Sequence, residues 1–514
     1  MNPAALREFA RLLRAEWTKL RTVRGWVVAL LGGMAAMIAL GTLTGVQGSC
    51  GKTSCVLPTG PDGREVTDSF SFVHQPLNGD GSITVRVAGM SGMLPAEPGA
   101  EEKQAEGKGP QRAGSPSAGT PGLAPWAKTG LMIKNGTEEG TAYAAIMVTG
   151  AHGVRMQHDF THDKAGSAGT APRWLRLTRA GDRITGQESP DGRAWTTVAE
   201  VRLDGLPATV QAGMFATSPQ YNKVTDSLLG SSAFGGPSRA TGEFDNLDRQ
   251  GDWPAQTWTG TRIGGVVTEP VDDPQLTGPV YRVTGSGDIA PATAGLAGLG
   301  VTITQTLVGT FAALLAVVVL GAVFVTAEYR RGMIRTTLAA APRRGRVLAA
   351  KTVVLGGSTF VAGLIASLLV VELGGRMMVY RGVYLHPAPA ETEARVIAGT
   401  AALLACSAVL AMALGTLVRR SLTAVTTGIA LIVLPYLLSL SALSGAAAEW
   451  VLRVTPAAAF ALQQSTPAYP QVDNLYTAEA GYFPLPPWGG LAVLAGWTVV
   501  ALAAAVVVLR RRDA

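Results

Sequence analysis

The sequence predicts a polytopic α-helical membrane protein of six transmembrane helices, with an antiparallel β-sandwich inserted after the first helix. The chain has 514 residues, of which 47% are hydrophobic and only 15% are charged. Outside residues 48–295 it is dominated by apolar runs of about 20 residues, the length that crosses a bilayer. Within residues 48–295 it is rich in glycine and alternates short strand-like segments with turn signals. These observations together indicate a helical membrane protein that carries a β domain.

The six apolar runs contain no Asp, Glu, Lys, Arg or His. They are Trp26–Val46, Gly300–Phe324, Val353–Val371, Val396–Val418, Leu422–Leu443 and Gly489–Leu509. The first run is too long for a signal peptide and no small-residue cleavage site follows it, so we interpret it as a span. Ionisable residues inside spans mark proton relays and ion pathways. Their absence argues against a proton-coupled carrier and suggests that any energy for transport enters from outside the bilayer.

Charge predicts the orientation of the chain. If the N-terminus lies inside, the inner segments are residues 1–25, 325–352, 419–421 and 510–514. These hold 18 Lys/Arg against four acids, whereas the remainder holds 25 Lys/Arg against 32 acids. The excess of positive charge on inner segments predicts a plasma-membrane protein with cytoplasmic N- and C-termini and an extracellular domain at residues 48–295. No basic face on a folded domain points to nucleic acid.

The predicted domains follow from these spans. Residues 1–25 form a cytoplasmic amphipathic helix, because apolar residues recur near one face and most arginines lie elsewhere. The remaining domains are transmembrane helix 1 (26–47), the extracellular sandwich (48–295), transmembrane helix 2 (296–326), a cytoplasmic coupling segment (327–352) and transmembrane helices 3–6 (353–514).

The sandwich is predicted from short strands separated by Gly, Asp-Gly and Pro. The predicted strands are 82–87, 130–134, 143–149, 153–160, 174–179, 182–189, 196–203 and 209–216. Residues 91–122 are rich in Pro, Gly, Ser, Glu and Lys and are predicted to be a disordered insertion. Residues 218–241 are predicted to be a long loop. The later outer stretch, 444–488, carries aromatic residues typical of a membrane interface, and part of it is expected to re-enter the membrane as short helices.

Cys50 and Cys55 lie just beyond the first span, in SCGKTSC. An oxidising exterior favours a disulfide between them, and two free thiols are the alternative. Cys406 lies inside an apolar run and is interpreted as a packing residue.

No catalytic or metal site is predicted. The stretch GVQGSCGKT resembles a phosphate loop, but Val46 stands where the motif requires its first glycine. His158 and His162 could share one strand face, but no third metal ligand accompanies them. Three tryptophans of the sandwich could stack on sugars, although core packing is the more common use of such residues: Trp126, Trp174 and Trp195.

The segment Ala327–Lys351, AEYRRGMIRTTLAAAPRRGRVLAAK, lies between two spans and carries seven Lys/Arg and one acid, Glu328. It has no catalytic chemistry of its own. A basic segment at the membrane surface suits binding of a soluble partner, and positive-inside anchoring is the alternative for any single arginine.

This segment resembles the cytoplasmic segment that follows the second span in type-2 ABC exporter permeases of actinobacteria. RAEWTKLRTVRG (14–25), YRVTGSGDIAP (281–291) and the terminal VVVLRRRDA also resemble that family. The resemblance covers roughly residues 1–47 and 281–514. PWAKTGLMIK (125–134) and PRWLRLTRAGDRITGQESPDGRAWTTV (172–198), among other stretches of the middle region, resemble concanavalin-like jelly-roll domains.

The resemblance implies a permease subunit of an ABC exporter, two of which pair as a homodimer or heterodimer within the lipid bilayer. ATP and Mg would be bound by a separate ATP-binding subunit, and no cofactor by this chain. Residues in or beside the coupling helix would contact that subunit: Glu328, Tyr329, Arg330, Arg331, Gly332 and Arg335. The interfacial helix would include Glu16, Trp17, Lys19 and Arg21.

A membrane-anchored receptor or adhesin is the rival interpretation, with the jelly-roll domain binding a glycan or another cell-wall ligand. A receptor needs one anchoring span, whereas this chain has six candidates. No feature of the sequence identifies a transported substrate or a ligand of the sandwich.

Overall fold

The structure is a computed structural model, and it describes residues 3–43, 56–96, 119–227, 230–254, 257–264, 280–295, 300–334, 336, 343–441, 443 and 445–511. Its α-helices are α1 (Pro3–Thr22), α2 (Arg24–Leu43), α3 (Thr310–Arg330), α4 (Arg344–Tyr380), α5 (Ala390–Val418), α6 (Ser421–Ile432), α7 (Leu434–Ser441), α8 (Gly445–Val454) and α9 (Pro487–Arg511). Two 3-10 helices span Ile303–Gly309 and Pro456–Gln463.

Six helical stretches of the described chain are long and apolar enough to cross a membrane. They are α2, α3 with the 3-10 helix before it, α4, α5, α6 with α7, and α9. Each coincides with one of the six predicted spans, so the membrane part of the predicted fold class is confirmed. Below, the basic end of this helical domain is the end at which Arg330 and Arg344 lie, and the sandwich end is the opposite one.

Helices α3 and α5 form the centre of the helical domain, and most of their residues are buried. Small residues allow this close packing. A Cβ added at Gly321 of α3 would lie 2.2 Å from the carbonyl oxygen of Ala408, and one at Gly415 of α5 would lie 3.0 Å from the carbonyl oxygen of Ala322. Glycines at such positions let helix backbones approach each other inside a membrane.

Helix α4 is longer than its apolar run. Its 37 residues span about 55 Å, against a hydrocarbon core of about 30 Å. The predicted span was Val353–Val371, and the helix continues through charged residues at both ends because neither flank contains a helix-breaking proline. Lys351 therefore lies on the same continuous helix as the span, and so does the Glu372–Arg376 pair at the other end.

The stretch after α7 contains short helices at the sandwich end. Helix α8 is followed by the 3-10 helix Pro456–Gln463, whose residues are all buried. The Gln463 amide donates hydrogen bonds to the Thr310 and Thr400 hydroxyls at 3.2 and 3.3 Å. This 3-10 helix is therefore fixed between α3, α5 and α9 rather than lying on the surface.

The described strands are β1 (Val66–Asp68), β2 (Phe70–Leu94), β3 (Thr120–Pro121), β4 (Lys128–Lys134), β5 (Tyr143–Thr149), β6 (Val154–His158), β7 (His162–Ala165), β8 (Arg173–Ala180), β9 (Arg183–Ser189), β10 (Thr196–Arg202), β11 (Thr209–Thr217), β12 (Tyr221–Ser227), β13 (Gly230–Gly236), β14 (Arg239–Asp252), β15 (Thr259–Ile263), β16 (Tyr281–Gly285) and β17 (Ile289–Pro291). The eight predicted strands match β4–β6, β8–β11 and the second half of β2. The β part of the predicted fold class is thereby confirmed as an antiparallel sandwich.

Two predicted irregular stretches differ in the structure. Residues 218–241 contain the antiparallel hairpin β12–β13, so the prediction of a long loop is wrong there. Its Gly- and Ser-rich sequence lacks the apolar alternation that signals a strand. Of the predicted insertion 91–122, residues 91–94 continue β2 and pair with β14, and residues 120–121 form β3. Residues 97–118 lie outside the described residues, as do Cys50 and Cys55.

Strand β2 joins the two layers of the sandwich. Its first half pairs with β11 and β15, and its second half pairs with β8 and β14. One layer therefore runs β2-β11-β4-β5-β6-β7, and the other runs β10-β9-β8-β2 with β14 and β16 beyond. The apolar core between them includes Val73, Leu77, Ile83, Val85, Leu131, Ile146, Leu175, Leu177 and Met214.

The segments that lead into and out of the sandwich are joined to each other, because β1 pairs with β17. Two buried ion pairs hold this junction to the sandwich. The Lys134 ammonium lies 2.8 Å from Asp68 Oδ2, and the Lys128 ammonium lies 2.6 Å from Asp288 Oδ1.

The junction also contacts the loops at the sandwich end of the helices. Glu65 accepts a hydrogen bond from the Tyr384 hydroxyl and lies 3.1 Å from His386 Nδ1. Asn474, in the loop before α9, donates to the carbonyl oxygen of Ala294 at 2.9 Å. The sandwich is thus bonded to two separate loops of the helical domain.

Candidate functional site

Three helices meet at the basic end: α1, the last turn of α3 and the first turns of α4. Four charged side chains converge where they meet, and we call this group the four-charge cluster: Glu16, Lys19, Glu328 and Lys351. Three of the four side chains are only 2% exposed, and Lys19 is 36% exposed. A buried group of charges at the border of an apolar domain is costly unless it is fully paired.

Every charge of the cluster has a partner of opposite sign, although Glu328 Oε2 is buried without a hydrogen bond in the described structure. The Lys351 ammonium donates to Glu16 Oε2 at 2.8 Å and to Glu328 Oε1 at 2.6 Å. The Lys19 ammonium donates to the same two carboxylates, at 3.1 Å each. Two carboxylates and two ammonium groups balance in charge. Lys351 also lies 5.1 Å from the centre of the Phe324 ring, a favourable position for a cation.

Lys19 lies outside the spans, and its pKa is raised. Burial lowers the pKa of Lys19, but the carboxylates of Glu328 and Glu16 together raise it by more. Lys19 therefore stays charged across the physiological range.

Helix α1 lies along the start of α4 because residues four apart share a helix face. Glu8 accepts a hydrogen bond from Arg346 at 2.7 Å and lies 3.6 Å from Arg343. One turn later Leu12 packs with Ile334 and Val347. A further turn brings Glu16 to Lys351 in the four-charge cluster. Helix α1 is thus held to α4 over three successive turns.

Helix α3 ends in a tight turn beside the cluster. Arg331 caps the helix by donating its backbone N–H to the Ala327 carbonyl, and Gly332 follows with φ +68°. Glycine adopts this left-handed conformation at little cost, so it is the usual residue just past a helix end. The turn leaves Arg330, Arg331 and Gly332 exposed.

Tyr329 connects the end of α3 to the turn between α5 and α6. The Arg419 guanidinium lies 5.1 Å from the centre of the Tyr329 ring, in the cation–π range. Arg419 itself has a left-handed backbone, with φ +61°, at the end of α5. The end of α3 is therefore in contact with α1, α4 and the α5–α6 turn.

The residues singled out from the sequence fall into two groups. Glu16 and Glu328 are buried and have their ion-pair partners within this chain, whereas Trp17, Arg21, Arg330 and Arg331 are exposed. Arg335 lies outside the described residues. Sequence reasoning missed Lys351 and Glu8 as partners. The sequence signal that could have revealed the pairing is the position of Lys351 just before one apolar run and of Glu328 just after the preceding one.

Two of the tryptophans considered for sugar stacking are in contact with protein groups. Trp126 is 6% exposed and stacks on His152, with ring centres 4.1 Å apart. The Arg176 guanidinium lies 3.9 Å from the centre of the Trp195 ring. These contacts favour packing over sugar binding. Among the residues the structure describes, no group of three or more His, Cys, Asp or Glu could hold a metal ion.

A cavity of about 890 Å³ lies at the sandwich end. It is bordered by α7, α8 and the loop before α9, and its lining combines apolar, aromatic and charged side chains, including Leu440, Leu452, Tyr482, Glu449, Arg453 and Glu479. Its volume is in the range of sites that bind small molecules.

Comparison with known proteins gives one family. A family model described as ABC-2 family transporter protein matches residues 192–514. No curated protein matches the chain. One solved structure, described as that of a functionally unknown protein from Saccharomyces cerevisiae, is 14% identical, with 39% of this chain and 83% of that chain covered and a TM-score of 0.20. At that TM-score the likeness supports no conclusion about fold or function.

Proposed function

We propose that this chain, which belongs to the ABC-2 family of transporter proteins, exports a substrate across the plasma membrane using ATP hydrolysed by a separate ATP-binding subunit. Membership of the family makes the chain a multi-pass membrane permease and a transport subunit rather than a catalytic one. The export direction, the partner and its ATP and Mg are our proposal. The observation that carries it is the end of α3, where an exposed turn adjoins a buried charge cluster.

The arrangement suits the transmission of a mechanical force. Arg330 and Arg331 are exposed and can form charge-assisted hydrogen bonds with carboxylates of a docked subunit. Glu328, two residues earlier, is held by Lys19 of α1 and Lys351 of α4. A displacement of the exposed turn would therefore move α1, α3 and α4 together, because separating them would leave buried charges unpaired. In this scheme Glu328 contributes to coupling indirectly, through its own helix contacts.

The test is co-purification of an ATPase with the tagged full-length chain from its native membrane. Arg330→Ala/Arg331→Ala should lower the amount of bound ATPase about tenfold, since it removes two exposed cations from the contact. Arg510→Ala/Arg511→Ala is the matched control. It removes the same charge from exposed residues at the end of α9, which contacts the start of α4 through Leu509, and should leave ATPase binding unchanged.

The proposal fails if no ATPase associates with the wild-type chain in its native membrane. The assignment of the ATPase contact to Arg330 and Arg331 is wrong if the α3-turn variant and the α9 variant lose ATPase equally. Both variants must reach the membrane at wild-type levels, which immunoblotting of membrane fractions establishes.

Further parts of the proposal come from the family resemblance. We propose an actinobacterial exporter type that pairs with a second permease, a concanavalin-like jelly-roll topology for the sandwich and a disulfide between Cys50 and Cys55. Cytoplasmic termini and an extracellular sandwich are supported by the charge distribution. The receptor or adhesin alternative predicts that deletion of residues 300–514 spares function. The bonds from Glu65 and Ala294 to helical-domain loops argue against that outcome.

A further inference from the structure

Helix α1 presents three distinct faces. The packing face contacts α3, α4 and their connection through Glu8, Leu12, Glu16 and Lys19. The apolar face consists of Leu6, Phe9, Leu13 and Trp17. The arginine stripe consists of Arg7, Arg11, Arg14 and Arg21.

The angles between these faces follow from helix geometry. Successive residues turn by about 100° around the axis of an α-helix. With the centre of the apolar face at zero, the packing face is centred about 110° to one side and the arginine stripe lies about 75–155° to the other. The arginine stripe therefore points away from α4 and borders the apolar face directly.

Both outward faces carry exposed residues in the described structure, although Leu13 of the apolar face packs against the core of the helical domain. Leu6 is 52% exposed and Trp17 is 50% exposed. All four arginines of the stripe are exposed, and within the described part of the chain none is in an ion pair with a carboxylate. The stripe thus concentrates four positive charges over about four helical turns without internal compensation.

Helix α1 is held close to the membrane border. Only Val23 separates it from α2, the first span, whose early residues Val28 and Leu31 are exposed apolar side chains. The apolar face of α1 also carries exposed side chains, Leu6 and Trp17. With that face towards the hydrocarbon and the packing face against α4, the arginine stripe lies at the level of the lipid headgroups.

We propose that the arginine stripe of α1 binds the phosphate groups of anionic phospholipids in the leaflet where α2 begins. Guanidinium groups bind phosphate oxygens with two parallel hydrogen bonds. Basic side chains near an anionic membrane surface contribute additively to the attraction. A lipid bilayer covers Leu6 and Trp17, which border the stripe, while its phosphates bind the arginines. A protein that bound the arginines alone would leave these two apolar side chains facing water.

The test uses the purified full-length chain in detergent, titrated with dioctanoyl phosphatidylglycerol or dioctanoyl phosphatidylcholine and observed by native mass spectrometry. Arg14→Gln/Arg21→Gln should weaken phosphatidylglycerol binding about thirtyfold, since each basic residue near the surface contributes about fivefold. Phosphatidylcholine binding should not change. Arg14→Lys/Arg21→Lys keeps the charge but loses the two parallel hydrogen bonds, so it should weaken phosphatidylglycerol binding measurably and by less than the glutamine variant does.

Arg193→Gln/Arg202→Gln in the sandwich is the matched control, removing two exposed arginines far from α1, and it should bind phosphatidylglycerol like the wild type. The proposal is overturned if the α1 variant binds phosphatidylglycerol like the wild type, or if inorganic phosphate at equal concentration displaces the lipid. If the α1 variant retains phosphatidylglycerol but loses a co-purifying ATPase, the stripe binds the subunit and the lipid proposal is wrong.

Discussion

At the scale of single residues, the basic end depends on complete pairing of buried charge. Glu16, Glu328 and Lys351 are each too buried to be solvated by water, and each has an oppositely charged partner within 2.8 Å. Such a group adds little stability over an apolar replacement, but the loss of one member strongly destabilises the fold because it leaves a buried charge unpaired. The cluster therefore specifies how three helices fit together more than it stabilises them.

Replacing the central cation tests this view. Lys351→Met should destabilise the helical domain by about 3–5 kcal/mol, because it leaves Glu16 and Glu328 buried beside each other with only Lys19 to balance them. Lys19→Met should cost clearly less, since that side chain is 36% exposed and water can replace part of its contacts. Equilibrium unfolding in detergent micelles measures both. Equal costs for the two variants would contradict the burial argument.

A second residue-scale effect concerns acid stability of the sandwich. His158 stacks on His162 across the β6–β7 hairpin, with ring centres 4.3 Å apart. Burial, and to a lesser degree the positive charge of His162, lower the pKa of His158 to about 4. The unfolded chain binds the proton with a pKa near 6.5. Protonation thus favours the unfolded state, so stability is full above pH about 6.5 and is lost as pH falls towards 4.

His158→Gln should therefore flatten the decline of the sandwich unfolding temperature between pH 6.5 and 4, measured by tryptophan fluorescence of the full chain. His162→Gln should flatten it only in part, because burial is the larger cause of the low pKa. A decline in His158→Gln as steep as in the wild type would assign the acid sensitivity to other groups.

At the scale of elements, periodicity predicted what depends on local pattern and missed what depends on distant pairing. The six spans and eight strands follow from apolar runs and alternation, which neighbouring residues determine. Strand β2 was predicted only over 82–87, because Pro76, Asn78 and Gly79 read as a turn. Its 25 residues stay extended since β11 and β14 pair with its two halves. The Lys351–Glu16 pair joins residues 335 positions apart, which no local spacing reveals.

The boundaries of the helices also show which features local sequence pattern predicts and which it misses. Helix α4 extends beyond its apolar run at both ends, because hydropathy marks the lipid-facing part of a helix and not its termini. Helix α1 was predicted from an apolar face and from arginines that lie largely elsewhere on the helix. Its packing face carries Glu8, Glu16 and Lys19 as well as Leu12. These charged residues form ion pairs within the chain, whereas their sequence pattern alone suggests a solvent-exposed face.

At the scale of the whole molecule, the chain is asymmetric between its two ends. Exposed arginines and the four-charge cluster occupy the basic end, whereas the sandwich, the junction through Glu65 and the cavity beside α8 occupy the other. A substrate leaving at the sandwich end would pass loops that are bonded to the sandwich. The inserted sandwich is therefore placed to respond to movements of the helices. The side of the membrane on which the sandwich lies determines whether this interpretation holds.

Single-cysteine labelling in intact cells tests that orientation. In a chain with Cys50, Cys55 and Cys406 replaced by serine, Asp204→Cys should react with a membrane-impermeant maleimide, because its exposed position lies in the sandwich. Arg331→Cys should react only after permeabilisation, since the excess of Lys/Arg at the basic end predicts a cytoplasmic location for that end. Both positions are exposed in the isolated chain. If Arg331→Cys but not Asp204→Cys were labelled in intact cells, the orientation would be the opposite of the predicted one. The assignment of the α3 turn to an ATP-binding partner would then be wrong as well.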